Sequence, residues 1–274
     1  MSVAPSGTPA APVAGAGRSS ALSPRAIAVV AASGGAGSST LVAALALAGS
    51  RSGRSCVAVD LQPAGGGLDV VFGIEHTPGL RWSDLGEVEG AVDGAALGIG
   101  LPAVSGVAVL AHPRAGRAGP RAEVVHAAIE GLTSAFDLVV LDTPRGDAAW
   151  LGDLGAALGA VVVLGRVGVL ELAAVAATVA AVGAVGPTEA PVAPVLLLRG
   201  PAPQAGRRRA RPSRRRLCAG IAKDLGIPEV RWLGEDGSVR RDVVAGRVPG
   251  GRSGAVSRVA SEILRLWAAP GAPS

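Results

Sequence analysis

The chain has no tyrosine, two phenylalanines and four tryptophans, so aromatic residues make up only 2% of its 274 positions. A core must therefore be packed from aliphatic side chains, and hydrophobic residues do supply 49% of the sequence. Lysine is nearly absent too: Lys223 stands alone, and arginine carries the positive charge. Cysteine is limited to Cys56 and Cys218, which form no Cys-x-x-Cys pair, and His76, His112 and His126 are scattered. No zinc site can be assembled from that spacing. So few thiols, without a disulfide framework, fit a reducing cytoplasm. No uninterrupted apolar run reaches the ~18 residues of a membrane span. The N-terminus lacks both the basic start and the apolar stretch of a secretory signal.

What remains is enough chain for one large α/β core. Residues 1–24 are mostly Ala, Pro, Gly and Ser with a single Arg, too poor in large apolar groups to offset ordering entropy, and read as a disordered tail. The body is expected over 25–268, with a short tail at 269–274. Apolar runs at 25–31, 55–60, 107–111, 136–142, 161–164, 192–198 and 230–233 read as strands. Helical patterns fall between them, at 41–49, 68–73, 121–132, 148–158, 170–182, 217–225, 239–245 and 256–267. Strands alternating with helices predict a doubly wound α/β fold, a mostly parallel sheet with helices on both faces.

The stretch Ala31-Ala32-Ser33-Gly34-Gly35-Ala36-Gly37-Ser38-Ser39-Thr40 joins the first strand to the first helix. A glycine-rich turn in that context offers backbone N–H groups to a phosphate at a helix N-terminus. Alone it is a weak signal. Its weight comes from Asp60, which ends the second strand, and Asp142, which ends the run Leu138 to Leu141. Phosphoryl-transfer sites of the P-loop type need a nest for phosphates, a hydroxyl on Mg²⁺ and a strand-end carboxylate for the metal's water. Ser39 and Asp142 are the metal candidates. Gly34, Gly35, Ala36, Gly37, Ser38, Ser39 and Thr40 are the nucleotide-binding candidates, with Arg145 as a nearby charge. Asp60 and Asp142 are the catalytic candidates if the site is active. The plainer alternatives are a helix-start turn packed on the sheet and strand-end acids that cap helices.

The order of these pieces, with Val57-Ala58-Val59-Asp60-Leu61-Gln62-Pro63 and Leu141-Asp142-Thr143-Pro144-Arg145, resembles the MinD/ParA group of deviant Walker P-loop NTPases. Gly65-Gly66-Gly67-Leu68-Asp69, Pro78-Gly79-Leu80-Arg81-Trp82 and Arg199-Gly200-Pro201 make it most similar to the actinobacterial CpaE-like, septum site-determining branch, related to pilus-assembly localisation proteins. The resemblance spans about Arg25 to Trp267. It implies a MinD/ParA-like fold, ATP with Mg²⁺ as ligand, homodimerisation, and a partner in the division or pilus/secretion machinery. Larger members of that branch carry a receiver-like N-terminal domain, expected to be missing here. The departures matter as much. The group's two lysines fall on Ser33 and Ser38, its second strand-end acid falls on Gln62, and Arg199 stands near its base-reading asparagine. General arginine-for-lysine drift would leave arginine at those positions, so serine is informative. A charged hydrogen bond contributes roughly 1.5–3 kcal/mol, so two lost lysines cost about 3–6 kcal/mol. The expected result is feeble ATP and Mg²⁺ binding and weak or no ATPase activity.

Arg207, Arg208, Arg209, Arg211, Arg214, Arg215 and Arg216 outweigh the net charge of +5, so the rest of the chain is slightly acidic. The segment 206–216 reads as a solvated loop, or as a contact for DNA phosphates or anionic membrane. No aromatic interleaves it, so base stacking is not indicated. The last helix shows Val256, Val259, Ile263 and Leu266 on one side, a face suited to covering the sheet, with Trp267 as a hint of a membrane interface. Trp82, Trp150 and Trp232 read as packing residues. Three functions stay open: a positioning protein with a degenerate nucleotide site, an ATPase that switches localisation by ATP-dependent dimerisation, and an ATP-independent DNA- or membrane-binding module. The expected location is cytoplasmic, peripheral at the membrane, septum or pole.

Overall fold

The computed structural model describes residues 25–63, 65–86, 88–113, 119–145, 149–154, 157–185, 194–200, 214–250 and 253–268. The expected tails at 1–24 and 269–274 lie outside these residues, as do Arg207, Arg208, Arg209 and Arg211 and the side chain of Trp150.

Strand β1 (Ala26–Ala31) is apolar throughout, and every one of its residues is buried. A strand buried on both faces belongs in the middle of a parallel sheet. It leads to α1 (Ser38–Arg51), β2 (Cys56–Asp60) and the short α2 (Leu68–Phe72), then a 3₁₀ turn at Trp82–Leu85 and α3 (Gly94–Gly100). There follow β3 (Ala103–Val104), β4 (Val107–Leu110), α4 (Ala122–Ala135), β5 (Leu138–Asp142), α5 (Ala149–Leu154) and β6 (Leu158–Arg166). The last part comprises α6 (Val169–Val185), β7 (Val195–Gly200), α7 (Arg214–Leu225), β8 (Glu229–Gly234), α8 (Gly237–Val244) and α9 (Ala255–Trp267).

The strands form one sheet in the order β3-β4-β2-β5-β1-β6-β7-β8. All neighbours run parallel except β3, which pairs antiparallel with β4 at the edge. Alternation along the strands divides the core into two layers. One holds Ala28 and Val139 with α4 and α6, through Ile129, Leu132, Val175 and Val179. The other holds Ile27 and Val140 with α1, α2 and α9, through Leu41, Leu45, Leu68 and Ile263. The expected doubly wound α/β sheet is what the chain forms.

Several boundaries differ from the expectation. The first helix passes through Gly49 to Arg51, because Gly49 is a contact position: a Cβ there would lie 2.8 Å from the Cys56 sulfur. The helix expected over 148–158 stops at Leu154, and residues 158–160 join β6 instead. On α9, Val256, Val259 and Ile263 are buried as expected, but Leu266 is 38% exposed and Leu264 fills the core in its place. Trp267 packs beside the Arg54 guanidinium, 5.3 Å from its ring centre, so this side chain is used within the fold. Among the described residues no helix is long and apolar enough to cross a membrane.

Candidate functional site

Parallel strands bring their C-terminal ends to one edge, where α/β proteins place their ligands. At this edge β1 leads into the glycine loop, β2 ends in Asp60 and β5 in Asp142, His112 and Arg145 follow β4 and β5, and Arg199 is the penultimate residue of β7. A cleft of about 290 Å³ opens between the loop 33–40, the ends of β2 and β5, and the glycines 65–67.

Gly35 and Gly37 have φ values of 68° and 103°, in the left-handed region that side chains avoid, and they turn the chain sharply into α1. Gly37 is the N-cap of α1, and no side chain caps this end. The first intrahelical bond runs from the Leu41 N–H to the Gly37 carbonyl, so the N–H groups of Ser38, Ser39 and Thr40 precede the helical ladder. The first turn carries no acid. The loop is thus a donor-rich, dipole-positive cradle, and the sequence-expected residues Gly34 through Thr40 all line the cleft.

Asp60 and Asp142 are register partners on β2 and β5. The Asp60 oxygens accept the N–H groups of Gln62 and Leu68, both at 2.9 Å, and its backbone carbonyl accepts the Trp82 indole N–H at 2.6 Å. Burial raises its carboxyl above the usual range; the Leu68 and Gln62 N–H groups and His112 pull it down, while Asp69 pushes it up. Asp142 is less satisfied. Burial pushes it up to about 6, opposed by the Ser39 hydroxyl, reinforced by Asp60, and opposed again by Ser38. Its Oδ1 is buried without a hydrogen-bond partner among the described residues, as is the Ser33 hydroxyl across the cleft. Thr143 fixes this strand end by donating both its N–H and its hydroxyl to the Val29 carbonyl, at 3.2 and 2.8 Å.

Gln62 donates its side-chain amide to the Thr143 carbonyl at 2.6 Å, tying the ends of β2 and β5 together. Gln62 is therefore a brace. Arg145 lies so close to Gly34 that a Cβ there would sit 2.7 Å from its Nη1. On the other side Arg199 donates Nη1 to the carbonyls of Gly35 and Ala36, at 3.4 and 3.2 Å. Lys223, the chain's one lysine, is in the last turn of α7.

His112, buried near Asp60, escapes a reading by motif, while Asp69 and Arg199 belong to quoted motifs without a site role assigned to them. The available signal was position, since His112 follows β4 and Arg199 lies near the end of β7 on the ligand-bearing edge. Among the described residues no group of three or more His, Cys, Asp or Glu is placed to hold a metal ion. The residues fit a Mg²⁺–phosphate group in part: the cradle, the Ser39 hydroxyl and the unbonded Asp142 oxygen are in place, while Ser33 and Ser38 bring no charge to the loop.

No protein-family model matches the chain. An uncharacterized protein of Mycobacterium tuberculosis, in strains CDC 1551 and H37Rv, is 38% identical over 122 residues, covering 43% of this chain and 33% of that protein. The match therefore spans about a third of the length of these curated relatives. A ParA family ATPase from Chlorobium tepidum superimposes with a TM-score of 0.66 at 18% identity, over 88% of this chain and 98% of that one. The septum site-determining protein MinD of Pyrococcus horikoshii, complexed with Mg-ADP, gives 0.56 at 19% identity, over 89% and 97%. A cobyrinic acid a,c-diamide synthase from Mycobacterium smegmatis, with a bound ATP analog and magnesium, gives 0.61 at 22% identity, over 89% and 96%. At these identities the likeness is one of architecture, and it covers almost the whole of each solved chain: the fold is that of the MinD/ParA-type P-loop ATPases.

Proposed function

We propose that the chain is a CpaE-like positioning protein, which uses a MinD/ParA-type fold to place the division septum or a pilus/secretion assembly. Its deviant Walker loop is degenerate. The observation behind this reading is the pairing of an intact cradle with missing charge: Gly35 and Gly37 keep their left-handed turn, while Ser33 and Ser38 occupy the lysine positions. Solved relatives of this fold include a septum site-determining protein and a ParA ATPase, which supports a positioning role.

Ser39 and Asp142 would hold Mg²⁺, and the N–H groups of Ser38, Ser39 and Thr40 would hold phosphate. Bound metal would neutralise phosphate charge. Without lysines the site favours slow or absent hydrolysis, since one preorganised donor to developing charge contributes roughly 3–4 kcal/mol to rate. The chain then acts through its partner in the division or pilus/secretion machinery, as a homodimer, peripheral at the membrane, septum or pole. A second reading, a switching ATPase, draws on Arg145 and Arg199 at the loop, which return positive charge to it. A role for Arg207 to Arg216 on DNA or anionic membrane belongs to the third reading.

Fluorescent tagging in living cells tests the proposal, with and without residues 207–216. Mid-cell or polar foci that persist without the segment are expected. Nucleoid staining, or foci lost with the arginines, would assign function to the segment instead.

A further inference from the structure

We propose that Arg199, which stands against the glycine loop beside this cleft, is an anion-binding residue, and that with Arg145, which lines the cleft, it supplies the charge for a triphosphate chain that Ser33 and Ser38 do not provide. The inference rests on reading the loop as a phosphate cradle.

Arg199 is the penultimate residue of β7, two strands from β1 in the sheet, and its side chain crosses β6 to reach the loop. Its Nη1 alone bonds both the Gly35 and the Ala36 carbonyls, and a Cβ on Gly37 would lie 3.5 Å from the same atom. A guanidinium has five N–H donors in a planar fork, so the two loop bonds do not exhaust it. Arg145 approaches from β5 on the opposite side, against Gly34. The two cations thus bracket the glycine run, one at each end.

Electrostatics makes this arrangement informative. A helix N-terminus carries about half a positive charge and favours anions. Here α1 has no acid in its first turn and no side-chain cap, yet two guanidinium groups stand beside it. Like charges gathered at a positive helix end repel one another unless an anion joins them. Arginine suits that anion: its fork matches phosphate geometry and can bind two oxygens at once. Charge from the strand ends also explains how a loop without lysines could keep its glycine geometry in use. The ligand class is a di- or triphosphate chain, free or carried on a nucleoside.

Calorimetric titration of the full chain with Mg²⁺–tripolyphosphate and with Mg²⁺–ATP, at several salt concentrations, tests the proposal. Wild type should bind both, and tighter binding of ATP would assign the source as a nucleotide. Arg199→Ala and Arg145→Ala should each weaken binding about ten- to a hundred-fold and flatten its salt dependence. Arg199→Lys should retain part of the affinity. Arg199→Gln keeps donors for the loop carbonyls without the charge, and should weaken binding as Arg199→Ala does. Unchanged affinity in Arg199→Gln, with wild type binding, would make Arg199 a brace of the loop and overturn this inference alone. Failure of wild type to bind either probe would overturn the retained cradle as well. Circular dichroism and urea unfolding of each variant show whether it folds.

Discussion

Asp60 and Asp142 face each other across β2 and β5 as register partners, each 1% exposed, yet their surroundings differ. Both Asp60 oxygens are bound by backbone N–H groups, while Asp142 keeps one buried oxygen without a hydrogen-bond partner among the described residues. One acid holds loops together, and the other has bonding capacity left over.

That difference has a pH signature. Asp142 titrates at about 6 in the folded chain, above its ordinary value of 3.8, because burial disfavours the charged form. The folded state therefore holds the proton more tightly than the unfolded state. The stability this contributes is complete below the unfolded value and is lost as pH rises through about 6. The effect is on the order of a few kcal/mol. Urea unfolding without ligand should show stability falling from acid to neutral pH, and Asp142→Asn should flatten that fall. Asp60 is raised too, so some dependence persists. An identical slope in Asp142→Asn would count against the buried-carboxylate reading.

Asp60→Ala tests the other half. It strips the acceptor from the N–H groups of Gln62 and Leu68, and so frees the glycines 65–67 that wall the cleft. A loss of about 2–4 kcal/mol is expected from two orphaned donors. Hydrogen exchange at the Leu68 amide should quicken before the global transition. If that amide stays protected, Asp60 does not hold the loop.

For α9 the contrast between Ile263 and Leu266 is decisive. Ile263 is 1% exposed in the layer under α1, whereas Leu266 is 38% exposed. Ile263→Ala should cost about 2–4 kcal/mol of unfolding free energy. Leu266→Ala should stay near 0.5 kcal/mol, as surface changes do. The reverse order would mean that a different face of the helix covers the sheet.

Returning charge to the loop is a gain-of-function test. Ser38 opens α1 and lines the cleft, so a lysine there would place an ammonium in the cradle. Ser38→Lys, alone or with Ser33→Lys, should tighten Mg²⁺–ATP binding about ten- to a hundred-fold. No gain in either variant would show that the loop has lost its phosphate shape as well as its charge.

Local patterns made the strands and the loop legible. Ala26–Ala31 and Leu138–Leu141 are unbroken apolar runs, and the turn at Ser33 to Gly37 needs only its glycines to be read. Other features depend on distant partners. In α3, three glycines in seven residues give little helical tendency. It forms because Asp93 caps it, accepting the Ala95 and Ala96 N–H groups, and because Gly94 lets its backbone meet that of Gly131 on α4. Asp93 was the readable signal. Residues 158–160 lengthen β6 because Leu158 and Ala160 pair with β1. Arg199 reaches carbonyls more than 160 residues earlier in the chain, a contact that only the folded sheet creates.

The most direct measurement of the proposed degenerate cradle is calorimetric titration of the wild-type chain with ATP in excess Mg²⁺, with phosphate release followed on the same sample. Binding weaker than micromolar, with no turnover above background, is the expected result. Micromolar binding together with sustained ATP hydrolysis would contradict it.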